Sequence, residues 1–356
     1  MIKQEYFLVG VMSGTSLDGI DLAYVHFTKN ENWSYKIIFT ETVSYNSYWE
    51  NILRHAVDYD KNSLESLDVE YTHLLASTIN TFINKYQLTN IDAVSSHGHT
   101  ILHQPENKIT LQIGNLPILT DLIKHDVVCD FRVQDVQLGG QGAPLVPLGD
   151  QLLFSDYSSC INLGGFSNIS KDNSNTRIAY DICPVNIVLN HYVQKTGVSY
   201  DDKGVLASSG KICDLLLKDL NSLSFYKKTH PKSLGLEWVK SVIFPLIDSY
   251  NLTVKDVLRT FVEHVSIQIG KELVSSDANA LFTGGGVYNL FLMDRIKNYS
   301  NAKITIPNIG LIEFKEALIF AFLGVLRLRG EINVLASVTG AKSNHSSGKI
   351  FISSDR

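Results

Sequence analysis

The chain has 356 residues, of which 44% are hydrophobic and 19% are charged, so it contains enough apolar material for a sizeable buried core. Because single cores stop growing near roughly 250 to 300 residues, this length predicts two packed lobes with a ligand cleft between them. The 31 Lys and Arg against 36 Asp and Glu give a net charge of −5, and the basic residues are scattered. This pattern excludes a protein that holds nucleic acid on a basic surface. Any bound phosphate must then be held by backbone amides, a metal ion or a few placed side chains.

The cysteines and the apolar runs indicate the cellular compartment of the protein. Four cysteines are far apart and form no C-x-x-C pair, namely Cys129, Cys160, Cys183 and Cys213. This spacing favours reduced thiols in a cytoplasmic protein over a disulfide or zinc framework. The N-terminal run lacks a signal-peptide pattern, and the longest apolar stretch, 317–326, is about half the length that spans a bilayer. We therefore expect a soluble, cytoplasmic protein without a membrane partner.

The first half of the chain predicts an α/β lobe that opens with a hairpin. An apolar strand breaks at Ser13-Gly14-Thr15-Ser16 and resumes as a second strand. Helical spacing of apolar residues follows, with Asn62 and Glu65 as a capping box at its start. In chain order, the predicted elements are strand 6–11, strand 20–27, helix 63–85, strand 91–96, helix 117–125 and strand 127–131. Strands that alternate with helices are typical of an α/β lobe.

The second half repeats the opening pattern. From residue 159, an apolar strand, a Gly-rich turn with a hydroxyl and another apolar strand resemble the first hairpin, which we interpret as a weak internal repeat. The elements that follow are strand 177–182, helices 184–196, 233–247 and 253–274, strand 278–283 and helix 287–298. We place the domain boundary near 148–158, with an N-terminal lobe over 1–150 and a C-terminal lobe over 151–356.

Three glycine turns at strand ends indicate a phosphate site. In the segment 14–21, small residues let backbone amides approach an anion, hydroxyls add donors, and a carboxylate could hold magnesium. An ordinary hairpin turn is the alternative, and the segment matches neither the P-loop nor the G-x-G-x-x-G pattern. Further turns occur at Gly164-Gly165 and at 284–286. The three turns together favour two repeated lobes that hold a nucleotide from both sides.

The sequence also resembles a known family. GVMSGTSLDGID at 10–21 is similar to the signature of the anhydro-N-acetylmuramic acid kinases, members of the actin, Hsp70 and hexokinase-like superfamily. Further similarities follow in order along nearly the whole chain: SHGHT at 96–100, TLQIG at 110–114, DFR at 130–132 with Asp135, GGQGAPLVP at 139–147, NLGGFSN at 162–168, GGGVYN at 284–289 and VTGA at 338–341. The resemblance implies an α/β chain of two RNase-H-like (actin/hexokinase-like) lobes that flank a nucleotide cleft.

The resemblance also implies a reaction and its base. The family is taken to open the 1,6-anhydro ring of anhydro-N-acetylmuramic acid with water at C1 and to transfer the ATP γ-phosphate to O6, which gives N-acetylmuramic acid 6-phosphate in cell-wall recycling. This chemistry needs a carboxylate base, Mg²⁺ on the phosphates and donors that hold the sugar. The resemblance places the base at Asp181. Pro184 suits the first position of a helix, so Asp181 would end a strand before a helix N-terminus that favours its ionised form; a capping or turn aspartate is the alternative.

Three further groups of site residues follow from the resemblance. The ATP-binding residues would be Gly14, Thr15, Ser16, Leu17, Asp18, Gly19, Ile20, Asp21, Gly164, Gly165, Asn168, Gly284, Gly285, Gly286 and Asn289. Asp18 would also hold Mg²⁺. The sugar-binding residues would be His97, Thr100, Arg132, Asp135 and Glu316. Local alternatives stay open: an Arg132–Asp135 ion pair, a structural His97, a solvent-facing Glu316, and turn stabilisation by Asn168 and Asn289.

Two segments depart from the family pattern. DICPVN replaces DTGPGN at 181–186, which puts bulk at Ile182, Cys183 and Val185, and KSLGLE replaces KSTGRE at 232–237, which puts Leu236 in place of an arginine. Arginine binds carboxylates well, so its loss bears on recognition of the lactyl carboxylate. We interpret these changes as a reshaped sugar pocket. The alternatives are a kinase of the same fold for another sugar or amino sugar, and a nucleotide-binding regulatory protein without sugar turnover. A homodimer is expected by resemblance only.

Overall fold

The computed structural model describes residues 3–14, 16–174, 176–276 and 278–354. The chain forms two compact units. The first contains Met1–Leu153 and Phe314–Arg356, and the second contains Phe154–Glu313. No helix in the described ranges is long and apolar enough to cross a bilayer.

The part of the first unit before residue 154 alternates strands with helices, as expected from the sequence. Its elements are β1 (Glu5–Ser13), β2 (Gly19–Lys29), β3 (Trp33–Ser44), α1 (Ser47–His55), α2 (Lys61–Lys85), β4 (Ala93–Gln104), β5 (Ile109–Ile113), α3 (Ile118–Ile123), β6 (Val127–Cys129), α4 (Val133–Gln137) and α5 (Val146–Leu153). The second unit opens with three strands and continues with helices. Its elements are β7 (Ser159–Leu163), β8 (Phe166–Asn173), β9 (Thr176–Pro184), α6 (Asn186–Val193), α7 (Val205–Ser208), α8 (Asp214–Ser222), α9 (Leu236–Trp238), α10 (Phe244–Asp248), α11 (Val254–Gly270), β10 (Asn279–Thr283), α12 (Leu290–Tyr299) and β11 (Lys303–Thr305).

The chain then returns to the first unit. Helix α13 (Ile309–Leu328) carries it across, with non-helical backbone at Phe314, and α14 (Ala336–Thr339) and β12 (Lys349–Phe351) follow. The first unit passes to the second between Leu153 and Phe154, and residues 314–356, which were expected in the C-terminal lobe, lie in the first unit. These residues join the first unit because β12 pairs with β6, and because Ser347 Oγ donates to the Phe131 carbonyl and Ser95 Oγ donates to the Phe320 carbonyl.

The described strands of the first unit form a seven-stranded sheet in the order β12-β6-β4-β1-β2-β3, with β5 paired to β4. β1, β2 and β3 are successively antiparallel, β4 lies parallel to β1 on its other side, and β6 lies parallel to β4. Leaving aside the short β5 and β12, the strand order is 3-2-1-4-5, which is the RNase-H-like arrangement. The expected fold of this lobe is confirmed.

The second unit repeats this topology. Its sheet has, within the described ranges, the order β11-β10-β7-β8-β9. β7, β8 and β9 are antiparallel neighbours, while β10 is parallel to β7 and β11 to β10. Counted from β7, the order is again 3-2-1-4-5. The internal repeat suggested by the two hairpins is therefore a repeat of the whole sheet.

Each unit has its own hydrophobic core. In the first, the spaced apolar residues of α2, among them Tyr71 and Leu75, pack against Val9 of β1 and Leu22 of β2. In the second, Ile161, Ile169 and Phe282 cover one face of the sheet and belong to a cluster with α6 and α11. The other face of the first sheet packs against α13, where Gly10 contacts Ala317 and Phe27 contacts Phe322. The carboxyl ends of the parallel strands are where ligands bind in open α/β sheets.

Candidate active site

The first hairpin turn joins β1 to β2. Ser16 and Asp18 are exposed, Leu17 has a positive φ of 64°, and its N–H donates to the Gly14 carbonyl over 3.3 Å. Thr15, predicted to bind ATP, lies outside the described residues. This open turn leaves small side chains and backbone toward solvent, as a phosphate site requires.

Residues at the start of β2, on the other side of this hairpin turn, pack against the neighbouring strand and the core. A Cβ on Gly19 would collide with the Val43 carbonyl of β3, so only glycine fits there, and Ile20 is buried in the core. The half-buried Asp21 carboxylate accepts a hydrogen bond of 2.6 Å from Thr42 Oγ1. Gly19 and Ile20 therefore shape the predicted ATP segment through strand packing.

His97 and Arg132 form a directional pair in the first unit. The buried His97 donates from Nδ1 to the Gly98 carbonyl over 2.9 Å, and its Nε2 accepts from Arg132 Nε–H over 2.8 Å. Burial and the neighbouring Arg132 charge hold the pKa of His97 well below its ordinary value, so the ring is neutral. Arg132 Nη1 donates to the Gly142 carbonyl. This arrangement orients the guanidinium, whose Nη2 has no protein partner within the described residues, so it can bind a ligand.

Asp135 is a fully buried junction between distant motifs. Its Oδ2 accepts from the Gly142 N–H over 2.6 Å, and its Oδ1 accepts from Thr339 Oγ1 over 2.7 Å. A Cβ on Gly140 would collide with the same carboxylate. The loop 139–147 and the late segment 338–341 thus meet at one side chain. With both oxygens used by the protein, Asp135 supports the site and does not present a free group for the predicted sugar contact, and no Arg132–Asp135 ion pair is formed.

Glu316 and Thr100 complete the predicted sugar set. Glu316 lies on α13 with part of its surface accessible, but protein atoms crowd its carboxyl; this burial of the carboxyl raises its pKa, and the charges of Arg132 and Lys315 act in the opposite direction. Burial lowers the pKa of Arg132 to about 10, and Glu316 opposes that shift, so the two groups lie within electrostatic range. Thr100 is half-buried and accepts from Gln112 Nε2 over 3.3 Å. The structure therefore brings a carboxylate and a guanidinium together in the first unit.

A row of polar side chains crosses the sheet of the second unit. Thr283 of β10 pairs with Asn162 of β7, Asn162 with Asn168 of β8, and Asn168 with Asp181 of β9. Paired residues project from the same face of a sheet, and neighbours along a strand project from opposite faces. The row therefore lies on the face opposite the hydrophobic core, and it ends at the predicted catalytic aspartate.

Asn162 lies between the two glycine turns of this unit. Cβ atoms on Gly164 and Gly284 would point at its amide, at 3.3 Å from Nδ2 for Gly164 and in collision with Oδ1 for Gly284. Within the described parts of the chain, no hydrogen bond reaches the Asn162 amide or the buried Thr283 hydroxyl. Because buried polar groups are nearly always paired, the buried Thr283 hydroxyl is suited to a ligand, and the half-buried Asn162 amide beside it is accessible to the same ligand. Neither was predicted as a site residue, although Asn162 opens the NLGGFSN motif; Thr283 carried no sequence signal.

Asp181 is half-buried and held by the segment 232–237. Its backbone N–H donates to the Lys232 carbonyl over 3.1 Å, and its Oδ2 accepts from the Leu234 N–H over 2.7 Å. Burial raises the pKa of the carboxyl, and the Leu234 hydrogen bond partly offsets this. The expected helix-terminus effect was wrong, because β9 continues to Pro184 and the first amides of α6 donate to the Gly164 and Gly165 carbonyls.

The altered residues of DICPVN do not line a pocket. Ile182, Cys183 and Val185 are all buried in the hydrophobic cluster of the second unit, on the far side of the sheet from Asp181. The register shift between Ser167 and Asn168 places Cys183 and Asp181 on opposite faces. The expectation that their bulk reshapes the sugar pocket is therefore wrong. Leu236 differs, because its side chain is exposed two residues after the amide that holds Asp181.

Two of the remaining predicted ATP residues have structural partners. Asn289 Oδ1 accepts from the Leu292 N–H and caps α12, as the local alternative proposed, and a Cβ on Gly204 would collide with that oxygen. Gly286 packs on Leu163, whereas Gly285 is exposed with no heavy atom within 4 Å of its would-be Cβ. The side chain of Asn168 is exposed, so its amide can contact a ligand.

The fit of a magnesium ion depends on Asp18. No group of three or more His, Cys, Asp or Glu side chains stands together anywhere in the described ranges. Mg²⁺ usually takes one or two protein carboxylates and completes its shell with substrate phosphates and water. An exposed carboxylate at the hairpin turn fits that mode and does not fit a metal cage built by the protein alone.

The repeated 3-2-1-4-5 sheets define a protein of the RNase-H-like class. A family model described as anhydro-N-acetylmuramic acid kinase matches residues 5–353. The curated anhydro-N-acetylmuramic acid kinase of Mannheimia succiniciproducens is 36% identical over 376 residues, covering 99% of this chain and 100% of the relative. That of Pseudomonas fluorescens is 34% identical, covering 96% and 98%. The chain belongs to the anhydro-N-acetylmuramic acid kinase family and is a sugar kinase.

Solved structures give weaker matches. The activator of the 2-hydroxyisocaproyl-CoA dehydratase from Clostridium difficile with bound ADPNP is 14% identical with a TM-score of 0.43, covering 91% of this chain and 97% of that one. Component A of (R)-2-hydroxyglutaryl-CoA dehydratase from Acidaminococcus fermentans is 11% identical with a TM-score of 0.45, covering 89% and 96%. We assign the fold from the order and direction of the strands in the two sheets.

Proposed function

We propose that this protein uses ATP to phosphorylate anhydro-N-acetylmuramic acid at O6 while water opens the 1,6-anhydro ring at C1. The product would be N-acetylmuramic acid 6-phosphate, a sugar recovered during cell-wall recycling. Family membership supports the kinase activity. The observation that carries the ring opening is Asp181, a half-buried carboxylate at the end of a polar row. One of its oxygens is held by an amide, and the other accepts no hydrogen bond from any described residue.

Asp181 is suited to act as the general base. Its free Oδ1 would accept a proton from the attacking water, while the Leu234 amide keeps the carboxylate oriented through Oδ2. A pKa raised by burial makes the carboxylate a stronger base than an exposed aspartate. The acid limb of the kcat/KM profile should therefore lie above pH ~3.9, the ordinary aspartate value.

The first unit would bind the sugar. Arg132 offers a guanidinium oriented by neutral His97, and Glu316 offers a carboxylate within electrostatic range of Arg132. Thr100 adds a half-buried hydroxyl. Arg132 would pair with anionic or carbonyl oxygens of the sugar, Glu316 with its hydroxyl groups, and Asp135 would keep the surrounding loops in place.

The nucleotide would be held by turns and amides. Two sets of groups are candidates for these contacts: Gly14 with the amides from Ser16 to Asp18, and Gly285 with Asn162, Asn168 and Thr283. Mg²⁺, with Asp18 as a protein ligand, would neutralise charge on the phosphates when bound. Use of ATP supports the proposal of a cytoplasmic location, and so does the observation that the four cysteines, all in the described residues, form no disulfide.

The test is incubation with ATP, Mg²⁺ and the anhydro sugar, with detection of the 6-phosphate by mass spectrometry. Asp181→Asn keeps the shape but removes the base, so turnover should fall by at least about 10²-fold while ATP affinity stays close to wild type. Asp219→Asn, at an exposed carboxylate of α8, is the matched control and should keep full activity. Absence of product with wild type, or full activity in Asp181→Asn, would contradict the proposal.

A substrate panel separates the remaining alternatives. Clear preference for an unbridged sugar would favour a kinase for another sugar or amino sugar, for which exposed Leu236 in place of an arginine is the relevant observation. Tight ATP binding without turnover of any sugar would favour a regulatory nucleotide-binding protein.

A further inference from the structure

A buried chain of hydrogen bonds ends beside the first hairpin turn. Tyr71 OH lies 2.6 Å from Tyr45 OH, Tyr45 OH lies 2.6 Å from Ser13 Oγ, and Ser13 Oγ lies 2.7 Å from His99 Nδ1. All four side chains are at least nine-tenths buried, and Tyr71 is fully buried. Ser13 is the last residue of β1 and directly precedes Gly14.

A bulge in β4 turns the His99 side chain toward Ser13, at the end of this series of hydrogen bonds. In the parallel pairing of β1 with β4, Val11 lies opposite Ser96 and Ser13 lies opposite His99, so β4 has one extra residue. Gly98 sits in this bulge with φ of 74°, and a Cβ there would lie 2.5 Å from the Ile113 carbonyl. His97 therefore contacts Phe320 of α13, whereas His99 contacts Tyr71 of α2. Bulges often redirect side chains next to active sites.

The hydrogen bonds allow one order of donors. Ser13 and the two tyrosines each have one hydroxyl proton, and Tyr45 OH, at 2.6 Å, is the one hydrogen-bonding atom of the described residues within 3.5 Å of the fully buried Tyr71 hydroxyl. If His99 donated from Nδ1, a buried hydroxyl proton would be left without an acceptor, which is costly. The order that satisfies every proton runs from Tyr71 to Tyr45 to Ser13 to His99. His99 is then the terminal acceptor, with its own proton on Nε2. Burial lowers the pKa of His99 to about 4, which keeps this ring neutral.

We propose that His99 is a positioning residue that, by accepting from Ser13 at the end of the tyrosine chain, fixes Ser13 and the start of the phosphate turn. Ser13 is held between Ile20 of β2 and His99 of β4, so the orientation of its hydroxyl and backbone sets the path of the chain into Gly14. The inference rests on the proposed function because it assigns this turn to ATP. It adds a residue that touches neither ATP nor sugar.

The test compares two substitutions of the same shape. His99→Asn keeps an acceptor at the δ position, whereas His99→Leu places a methyl there. We expect His99→Leu to raise KM for ATP about tenfold with a smaller change in kcat, and His99→Asn to stay within about threefold of wild type. His264→Leu removes another buried histidine with a tyrosine partner, in the second unit, and should lower thermal stability without changing KM for ATP.

A second measurement does not depend on any variant folding. In ¹⁵N NMR spectra of the wild-type protein, His99 Nδ1 should appear as an unprotonated nitrogen and Nε2 as a protonated one. The opposite tautomer, or equal KM values for His99→Asn and His99→Leu, would overturn the inference. Failure of the wild type to bind an ATP analogue would overturn the proposed function instead, while leaving the tautomer result standing.

Discussion

Two histidines on the same strand, His97 and His99, have different roles in this fold because their neighbours differ. His97 and His99 are both buried and neutral, yet one orients a guanidinium and the other accepts from a serine. The sequence motif around them indicated a site, but their roles depend on a one-residue bulge. Asp135 shows the same limit, because its partner Thr339 lies about 200 residues further along the chain. Motifs therefore point to positions, and only three-dimensional contacts separate side chains with an unused polar group from side chains that support the surrounding loops.

Val185 offers a test of where the altered DICPVN residues act. Its side chain is fully buried in the core of the second unit, so Val185→Ala should lower the free energy of unfolding by ~2 kcal/mol. The KM for the sugar should stay unchanged, since the residue does not face Asp181. Denaturant unfolding and steady-state kinetics would measure both. Leu236→Ala is the exposed comparison and should cost under ~0.5 kcal/mol. Altered sugar preference in Val185→Ala with normal stability would contradict this interpretation.

At the scale of elements, local patterns located most strands and helices but not all of their ends. Helix α2 was expected to start with a capping box of Asn62 and Glu65. Instead it starts at Lys61, because the Asp60 carboxylate accepts from the Ser63 N–H over 2.9 Å, and Glu65 pairs with Lys61. Both arrangements satisfy the sequence rules for a helix start.

Neighbouring glycines in the third turn should respond differently to substitution. Gly284 has φ of 83°, and a Cβ there would collide with Asn162 Oδ1, so Gly284→Ala should destabilise the protein by about 1–3 kcal/mol. A Cβ on Gly285 would have no heavy atom within 4 Å, so the melting temperature of Gly285→Ala should equal that of wild type. Because the proposed function places phosphate near this turn, Gly285→Ala should still raise KM for ATP. Thermal melts and ATP titrations of the pair check this, and equal melting temperatures would refute the role assigned to Gly284.

At the scale of the whole molecule, the family resemblance implied RNase-H-like lobes, but the return of 314–356 to the first unit was not predicted. A three-residue pairing between β12 and β6 joins residues more than 200 positions apart, and so short a strand has no periodicity to detect. The polar row of the second unit could not be predicted from the sequence either. It depends on the register of four strands, which local patterns do not specify.

Net charge predicts how salt affects catalysis. The chain carries −5, and its proposed phosphate contacts are mostly neutral amides and hydroxyls, so association with anionic substrates gains nothing from long-range attraction. With Mg²⁺ in constant excess over ATP, kcat/KM should stay level or rise as ionic strength increases from about 10 to about 150 mM. Repeating the series with glutamate in place of chloride controls for specific ion effects. A fall of tenfold or more would show that basic side chains dominate binding.

The return of 314–356 to the first unit also sets an order for folding during synthesis. All of Phe154–Glu313 leaves the ribosome before the residues that complete the first sheet, so the second unit is the first to have its whole sequence. At about 5–20 residues per second, the first unit waits many seconds for β12 and the remainder of α13. During that interval β6 lacks its β12 neighbour, and the nascent N-terminal half is the part of the protein most in need of a chaperone.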